Sequence, residues 1–465
     1  MWIVASNLVH MNIAPSCSFF ASRVLYAGIT TIFSREAGFS QNSKFSTTMM
    51  IGGTLSFLTL LLFFQPITII SGFEVPFPQS SAEIRASIIS GGGGIGSDDV
   101  PLFAITTSTP NNKNENQPII TRQIQLGSGT MTEVISCIPP KQSSSSSSDV
   151  LENIFSSLFG TTDTTTSNKK PTIAFLHGSF HASWCWAEKY MPHFASLGYP
   201  CVAFSLQGTG GTPVMEEGAT KVKISSHVAD LDAFLKGLSD NNNNDDNTAS
   251  SLGLGLGDDP KIVLIGHSFG GLTIMKWLEQ TYGDNNNSNS SKDINLAGVG
   301  LMCSVPPSGN GAMTMRFIRR SLRDAWKITT GFVMKKAITD KAICRDLFFG
   351  GTEDDNGITD ENVERYQSYF KRDTVATIDL GDLAKKLPSA LADKETGRAP
   401  FVDRLPPVFV IGASEDFIVD REGVDETARY MGLEEPLIVD SPHDVMLGRR
   451  WSNGADAILE FIGTL

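Results

Sequence analysis

Short apolar runs alternate with amphipathic stretches from residue 172 onward, and this alternation predicts the fold class. Runs that are apolar throughout are typical of strands buried on both faces of a sheet. Such strands are predicted at 172–176, 201–206, 262–265, 296–303 and 408–412. The stretches between them repeat apolar residues every three or four positions, as Val228, Leu231 and Leu235 do, which indicates helices. Alternating strands and helices predict an α/β fold with a parallel sheet and crossover connections.

Two departures from the alternation divide the chain. Runs at 119–126 and 131–138 flank Gly127-Ser128-Gly129, which predicts a β-hairpin before the parallel strands. From 306 to 400 the pattern becomes helical, and we interpret this segment as a helical cap inserted between two core strands. Cap helices are predicted at 313–329, 333–348, 359–370 and 377–387. The predicted division is a leader and linker at 1–116, core at 117–305, cap at 306–400 and core again at 401–465.

The leader contains an uncharged stretch at 49–72. Its most apolar part, 55–64, has the length of a signal-peptide core, whereas the whole stretch could span a bilayer. The short core and the small residues Ser71 and Gly72 favour cleavage over a retained anchor. Phe73 then follows, which resembles the bipartite signal and transit leaders of algae whose plastids have extra membranes. We therefore expect a plastid or secretory route, with a transmembrane anchor as the alternative.

Composition narrows the functional classes. The formal net charge of −13 gives no electrostatic support to general nucleic-acid binding. The six cysteines are scattered, without a C-x-x-C pair or a cluster with histidine, which argues against a zinc site and a dense disulfide framework. The composition therefore predicts no zinc site.

The most informative motif is Gly266-His267-Ser268-Phe269-Gly270, a G-x-S-x-G sequence. It follows an apolar strand and precedes a helical pattern, which is the setting of a nucleophile elbow. The sharp turn would hold Ser268 in a strained conformation and expose its hydroxyl above the sheet. Glycines 266 and 270 are expected because strand and helix pass too closely there for a Cβ atom. Ser268 is the predicted nucleophile.

A serine nucleophile needs a base, and the base needs a carboxylate to orient it. His443 lies late in the chain in a Pro-His-Asp turn after a strand, where the order serine, acid, histidine would put the base. The acid should follow the preceding strand, which offers Glu415 and Asp416; we favour Asp416. Asp420 is predicted to cap the next helix instead.

Acyl transfer also needs two backbone N–H groups that stabilise the oxyanion. One is expected from Phe269, directly after the nucleophile. The other is expected from the loop after the strand at 172–176, where Gly178 lets the backbone come close. Ser179 is the preferred donor in that loop and Phe180 is the alternative.

The substrate pocket and the cap carry further candidates. Phe180, His181 and His267 are assigned to the pocket because they flank the predicted oxyanion loop and elbow. The first cap helix has a basic side, which could contact an anionic membrane surface or simply face water. Its members are Arg316, Arg319, Arg320, Arg323 and Lys327.

These motifs together resemble the α/β-hydrolase superfamily over residues 119–465. His177-Gly178-Ser179, the G-x-S-x-G motif, 412–416 and His443-Asp-Val-Met-Leu447 carry the resemblance. The His-Gly-x-x-His-x-x-Trp-x-Trp stretch from His177 is similar to plant-type esterases, methylesterases and hydroxynitrile lyases, and Ser414-Glu-Asp-Phe-Ile-Val-Asp420 to plastid lysophospholipase-like hydrolases. The resemblance implies an eight-stranded, mostly parallel sheet flanked by helices, a Ser-His-Asp triad and no cofactor.

We therefore expect a serine hydrolase that cleaves a carboxylic ester of a lipid or a small metabolite. One departure limits the choice of substrate: the loop at 205–210 reads Ser-Leu-Gln-Gly-Thr-Gly where relatives often have Asp-x-Arg-Gly-x-Gly. A lyase-type enzyme and a non-catalytic ligand receptor on the same fold are the alternatives. The sequence does not determine the oligomeric state.

Overall fold

A computed structural model of the chain gives the architecture. The residues that it describes are 118–139, 170–239, 254, 256, 259–283, 294–333, 335–351 and 358–465. The predicted leader at 1–116 and its apolar stretch lie outside these ranges. None of the helices within the described ranges is long and apolar enough to cross a bilayer.

An eight-stranded sheet forms the centre of the molecule, in the order β1-β2-β4-β3-β6-β7-β9-β10. The β1–β2 and β2–β4 pairs are antiparallel, and the remaining pairs are parallel. A separate two-stranded sheet pairs β5 with β8. The strands are β1 (Ile119–Gln125), β2 (Met131–Cys137), β3 (Thr172–Leu176), β4 (Cys201–Phe204), β5 (Lys221–Val222), β6 (Ile262–His267), β7 (Leu296–Met302), β8 (Thr377–Ile378), β9 (Val408–Glu415) and β10 (Leu437–Pro442).

The apolar runs form the central strands of this sheet, as the sequence predicts. Every residue of β3, β4 and β6 is buried, because helices cover both faces of a parallel sheet. The predicted hairpin is confirmed by β1 and β2, which pair antiparallel along their whole length. The carboxyl ends of β6, β9 and β10 therefore lie at one edge of the sheet, where a site can be assembled.

Helices flank the sheet and also fill the segment between β7 and β9. The α-helices in the described ranges are α1 (Trp184–Ala187), α2 (Tyr190–Ser196), α3 (Ile224–Ser239), α4 (Phe269–Tyr282), α5 (Asn310–Arg320), α6 (Leu322–Ile328), α7 (Lys341–Cys344), α8 (Asp360–Arg372), α9 (Leu380–Ala384), α10 (Arg421–Tyr430) and α11 (Trp451–Ile462). Stacked aromatic rings join helices to strands, for example Trp186 of α1 on Phe175 of β3 at 4.6 Å between ring centroids.

The segment between β7 and β9 is a helical cap, in which the helix predicted at 359–370 is present as α8 and the other three predicted helices are interrupted. The helix predicted at 313–329 is divided at Ser321, which ends α5 and caps α6 by accepting a hydrogen bond from the Asp324 N–H. The helix predicted at 333–348 is broken into several turns, and the prediction at 377–387 contains β8 as well as α9. Helical periodicity was present throughout, but competing caps and turns interrupt it. Short turns are 329–333 (π), 336–338 (3₁₀), 345–349 (π), 388–391 (3₁₀) and 402–404 (3₁₀).

Charged pairs hold the cap against the core. Arg316 of α5 donates two hydrogen bonds of 2.6 Å to the Asp420 carboxylate, which also caps α10 as predicted by accepting from the Gly423 N–H. Arg320 pairs with Asp420 and Glu422. Much of the predicted basic side is thus neutralised within the protein, and Lys327 pairs with Asp346 as well. Membrane contact through the cap stays a prediction.

Candidate active site

The G-x-S-x-G motif forms a sharp turn between β6 and α4. Ser268 has φ 52° and ψ −118°, a left-handed φ that a residue with a side chain adopts only under strain. The turn is held by backbone hydrogen bonds from the Ser268 N–H to Met302 O, at 3.0 Å, and from the Val305 N–H to Ser268 O, at 3.1 Å. These hydrogen bonds to the neighbouring strand offset the strain and fix the serine at the end of β6.

The two glycines of the motif are required by close packing. A Cβ on Gly270 would lie 2.5 Å from the His177 carbonyl oxygen and 2.6 Å from that of Leu176. A Cβ on Gly266 would lie 2.9 Å from the backbone of Gly270. Real Cβ atoms do not approach backbone atoms so closely, so strand, turn and helix could not pack in this way with larger residues.

His443 and Asp416 form a buried pair in the loops that follow β10 and β9. The Nδ1 of His443 lies 2.8 Å from Oδ2 and 2.9 Å from Oδ1 of Asp416, and both side chains are almost fully buried. Asp416 also accepts hydrogen bonds from the Ile418 and Val419 N–H groups, each at 2.8 Å. Because the carboxylate accepts from Nδ1, the proton of neutral His443 lies on Nδ1 and Nε2 is the basic nitrogen.

The other candidate acid, Glu415, occupies a different environment. Its carboxylate pairs with Arg450, which lowers the pKa of Glu415 below its ordinary value, and its side chain is 44% exposed. The structure therefore brings Asp416, and not Glu415, to the histidine.

A thiol that the sequence reasoning missed lies next to the acid. Cys303, at the end of β7, has φ 45° and hydrogen-bonds to the carboxylate of Asp416. Burial, followed by the charge of Asp416, raises the pKa of this thiol well above its ordinary value, so it remains protonated and donates to the carboxylate. No sequence motif marks Cys303, because the contact joins two strands that are far apart in the chain.

The loop after β3 lies directly on the nucleophile. A Cβ on Gly178 would be 2.7 Å from the Cβ of Ser268, so the loop backbone passes the serine at van der Waals distance. Phe180 has φ 70°, an unusual conformation for an aromatic residue. Phe269 begins α4, and the first N–H groups of a helix have no partner within it. The predicted oxyanion donors therefore come from two backbone segments that border Ser268.

Histidines support both peptides of the loop at 178–180. The Nδ1–H of His177 donates to Gly178 O at 2.8 Å, while its Nε2 accepts from the Leu206 N–H at 2.9 Å. Burial lowers the pKa of His177 to about 4, so this histidine is neutral. The Nδ1 of His181 lies 2.8 Å from Ser179 O.

His267 and His181, both assigned to the pocket, are fully buried beside the site. The Nε2–H of His267 donates to His443 O at 3.0 Å, and burial lowers the pKa of His267 well below its ordinary value. His267 thus holds the loop that carries His443. Both ring nitrogens of His181 are hydrogen-bonded and the residue is 0% exposed, so it lies behind the site and not on a surface that a substrate touches. The Phe180 ring is buried against Phe348 and Phe370 of the cap.

Asp444 is a second residue that the sequence reasoning left without a role. It is fully buried, and its Oδ2 lies 2.9 Å from Nε2 of His181. Its backbone N–H donates to Phe348 O of the cap at 3.0 Å. Its position directly after the base was visible in the sequence, but its partner is 263 residues away.

The donor atoms around His443 do not favour a metal ion. Two groups within the described residues have ligand atoms within 4.8 Å of one another, His267 with His443 and Asp444, and Cys303 with Asp416 and His443. Nδ1 of His443 is bonded to Asp416, and the Cys303 thiol is protonated. Both groups are accounted for by the hydrogen bonds of the base and its acid.

Comparison with known proteins adds a family model. The model described as "Alpha/beta hydrolase family" matches residues 173–453, more than half of the chain. No curated protein sequence matches significantly.

Several solved structures are similar to this chain at low identity and with TM-scores below 0.5. A crystal structure of an epoxide hydrolase from Vigna radiata is 18% identical with a TM-score of 0.42, covering 75% of this chain and 98% of that chain. A thermophilic esterase from Thermogutta terrifontis is 16% identical with a TM-score of 0.45, covering 74% and 98%. The 2-hydroxy-6-oxo-6-phenylhexa-2,4-dienoate hydrolase from Rhodococcus sp. strain RHA1 is 14% identical with a TM-score of 0.44, covering 74% and 99%.

Proposed function

This chain belongs to the α/β-hydrolase family, and we propose that it is a serine hydrolase that cleaves carboxylic esters through an acyl-enzyme. One observation carries the proposal: the buried His443–Asp416 pair lies at the same edge of the sheet as the strained Ser268. A serine alone on such a turn would be a weak nucleophile, and a histidine oriented by a carboxylate supplies the base that it lacks.

The proposed reaction has two halves. In the first, Ser268 Oγ attacks the ester carbonyl carbon while Nε2 of His443 takes the hydroxyl proton. Asp416 keeps the imidazole in the correct tautomer and stabilises the imidazolium that forms. The negative oxygen of the tetrahedral intermediate accepts hydrogen bonds from the N–H of Phe269 and from the loop at 179–180. The intermediate collapses as the alcohol leaves with the proton from His443.

The second half repeats these steps with water. His443 takes a proton from a water molecule, whose oxygen attacks the acyl carbon of the enzyme ester. The second intermediate uses the same oxyanion donors. Its collapse breaks the bond to Ser268 Oγ, which recovers its proton from His443, and releases the carboxylic acid. The enzyme returns to its starting protonation state.

Aromatic rings next to the oxyanion loop support an apolar acyl group in the substrate. Phe180, Phe348 and Phe370 form a cluster with ring centroids 5.0–6.1 Å apart, buried where the cap meets the core. Phe348 and Phe370 are at most 1% exposed, so only Phe180, at 7%, has a ring that a substrate could touch, and that apolar ring favours hydrocarbon over charged groups. Lipid esters and esters of small apolar metabolites both satisfy this requirement.

The proposal is tested with the full chain, a fluorophosphonate probe and p-nitrophenyl esters of increasing acyl length. We expect Ser268→Ala and His443→Ala to abolish labelling and to lower kcat/KM by about 10⁴-fold or more. Ser414→Ala, which removes an exposed hydroxyl two residues before the acid, is the matched control and should retain activity.

The possible outcomes separate the alternatives. A folded wild type that neither labels nor turns over any ester would refute the nucleophile and favour a ligand receptor. Labelling without ester turnover would favour a lyase-type enzyme of the same fold. Activity that falls as the acyl chain of the ester lengthens would exclude a lipid ester as the substrate and would leave the ester of a small metabolite.

A further inference from the structure

We infer that His181 is a positioning residue of the proposed esterase, held as an imidazolium by Asp444 so that its positive charge polarises the Ser179–Phe180 peptide of the oxyanion loop. This inference rests on the proposed function and assigns a purpose to two buried residues that the reaction steps do not use. The partners of the His181 ring carry it.

Both ring nitrogens of His181 face acceptors. Nδ1 lies 2.8 Å from Ser179 O, and Nε2 lies 2.9 Å from Oδ2 of Asp444. A carbonyl oxygen cannot donate, and an ionised carboxylate cannot donate either. A neutral imidazole carries one proton, so one of its lone pairs would face an acceptor at hydrogen-bond distance. The doubly protonated ring satisfies both contacts.

Burial makes this charge state depend on Asp444. His181 and Asp444 are 1% and 0% exposed at their side chains, so water cannot stabilise either charge. Desolvation lowers the pKa of His181, but the charge and hydrogen bond of Asp444 and the Ser179 carbonyl outweigh it and raise the pKa above its ordinary value. A neutral ring beside a protonated Asp444 is the competing arrangement.

The other groups around His181 do not oppose its charge. Asp373 at the end of α8 adds a favourable negative charge, and His177 and His267 are neutral because burial depresses their pKa values. The rings packed on His181 are uncharged: Trp184, Phe348 and Phe370. Asp444 is therefore the nearest anion that can hold the proton.

The position of the proton donor gives the pair its effect. Ser179 O belongs to the peptide whose N–H is that of Phe180, and Phe180 is the residue of the loop with φ 70°. A charged donor on the carbonyl draws electron density from the peptide and makes its N–H a stronger donor. The neutral His177 acts on the preceding peptide, whose N–H is that of Ser179. The oxyanion loop is thus supported at both candidate donors.

The same pair ties the loop of the base to the oxyanion loop. Asp444 directly follows His443, so the His181–Asp444 contact joins two loops. One carries the proposed base, and the other binds the carbonyl oxygen of the substrate. Such second contacts hold catalytic groups in their working geometry. Because the bond to the peptide matters most when charge develops on the substrate, it should affect kcat more than KM.

The test compares pH profiles of kcat for p-nitrophenyl acetate with the full chain. In Asp444→Asn the hydrogen bond remains but the anion is lost, so His181 should lose its proton at a lower pH. Burial should then depress the pKa of His181 as it does that of His177, so we expect kcat about tenfold below wild type from pH 6 to pH 8, loss of the alkaline limb that deprotonation of His181 gives wild type, and a KM within about twofold. His181→Gln should be slow at both pH values, and His193→Gln, on α2 away from the site, should keep the wild-type profile.

A second readout does not depend on turnover. Nitrogen-15 spectra of the seven histidines, with the His181 signal assigned from His181→Gln, should show an imidazolium at pH 7 in wild type and a neutral ring in Asp444→Asn. A neutral His181 in wild type overturns the inference even if the protein is an active esterase. An alkaline limb of kcat that persists unchanged in Asp444→Asn, or a KM that rises as much as kcat falls, reduces the pair to a structural contact and also overturns it. An inactive wild type overturns the proposed function, and the oxyanion role falls with it.

Discussion

Buried histidines in this protein differ in charge because their neighbours differ. Burial lowers the pKa of His177 to about 4 and that of His227 to about 3, and it lowers that of His267 well below its ordinary value. None of these three has a buried carboxylate at hydrogen-bond distance among the described residues, whereas His181 has Asp444. Desolvation sets the direction of the pKa shift in the first three histidines, and the ion pair with Asp444 sets it in His181.

The neutral histidines predict a loss of stability in acid. A depressed folded pKa means that the unfolded chain binds more protons as pH falls below about 6.5, so the free energy of unfolding decreases. Each histidine should contribute about 1.4 kcal/mol per pH unit between about pH 5.5 and its folded pKa. Urea unfolding at pH 7, 6, 5 and 4.5 would measure this slope, and His227→Gln should reduce it by about one proton. An unchanged slope in that variant would contradict the assignment.

His181 has the opposite dependence. Its folded pKa is raised, so its contribution to stability is present at low pH and is lost as pH rises through the folded pKa. The free energy of unfolding should therefore decline below neutral pH because of His177, His227 and His267, and at higher pH because of His181.

At the scale of elements, the site depends on how closely three backbone segments pass one another. The loop after β3, the turn after β6 and the start of α4 meet at distances that leave no room for Cβ atoms at Gly178 and Gly270. This packing positions the oxyanion donors relative to Ser268 without any side chain. A small change in one segment should therefore affect the reaction more than the fold.

Gly178→Ala tests this packing. The new Cβ would lie 2.7 Å from that of Ser268 and 3.1 Å from His267 O, so the loop must move away from the serine. We expect kcat to fall about 10²- to 10³-fold, the loss typical of one oxyanion donor. Gly311→Ala in α5 is the matched control, since nothing lies within 4 Å of its Cβ, and it should leave activity unchanged. Equal activity in the two variants would refute the close approach as a functional requirement.

At the scale of the whole molecule, the cap is fastened to the core at several separate points. Asp373, after α8, accepts from the Trp184 indole and from the Gly210 N–H of the core. Arg316 binds Asp420 at the start of α10, and β5 of the core pairs with β8 of the cap. Phe348 O accepts from the Asp444 N–H beside the base. The cap thus touches the loops that carry Asp416 and His443.

Arg316→Met tests the fastening at Asp420. The carboxylate, only 4% exposed, would keep the Gly423 N–H and the longer contact with Arg320 but lose its bidentate partner. We expect a loss of about 1–3 kcal/mol in the free energy of unfolding and faster proteolysis within the cap. The control is Arg398→Met, whose partner Asp403 is 90% exposed and which should change stability by less than about 0.5 kcal/mol. Equal proteolysis of both variants would show that this pair does not hold the cap.

The sequence by itself determined the features that are encoded over short stretches of chain. Periods of apolar residues specified the strands and their helices, and the spacing of two glycines around Ser268 specified the elbow, because backbone geometry there depends on adjacent residues. The cap on α10 by Asp420 was equally local. Chain order also selected His443 as the proposed base, and the structure pairs this histidine with Asp416.

The tertiary structure alone decided contacts between distant segments and choices between adjacent residues. Glu415 and Asp416 have the same chemistry, and only the positions of Arg450 and His443 separate them. His181 and Asp444 are 263 residues apart, and no periodicity predicts that they meet. Helical spacing also did not reveal where the cap helices end, because those ends depend on local hydrogen bonds that compete with the helix. The charge states of the buried histidines depend on desolvation and on the carboxylates next to them, and both arise only once the chain has folded.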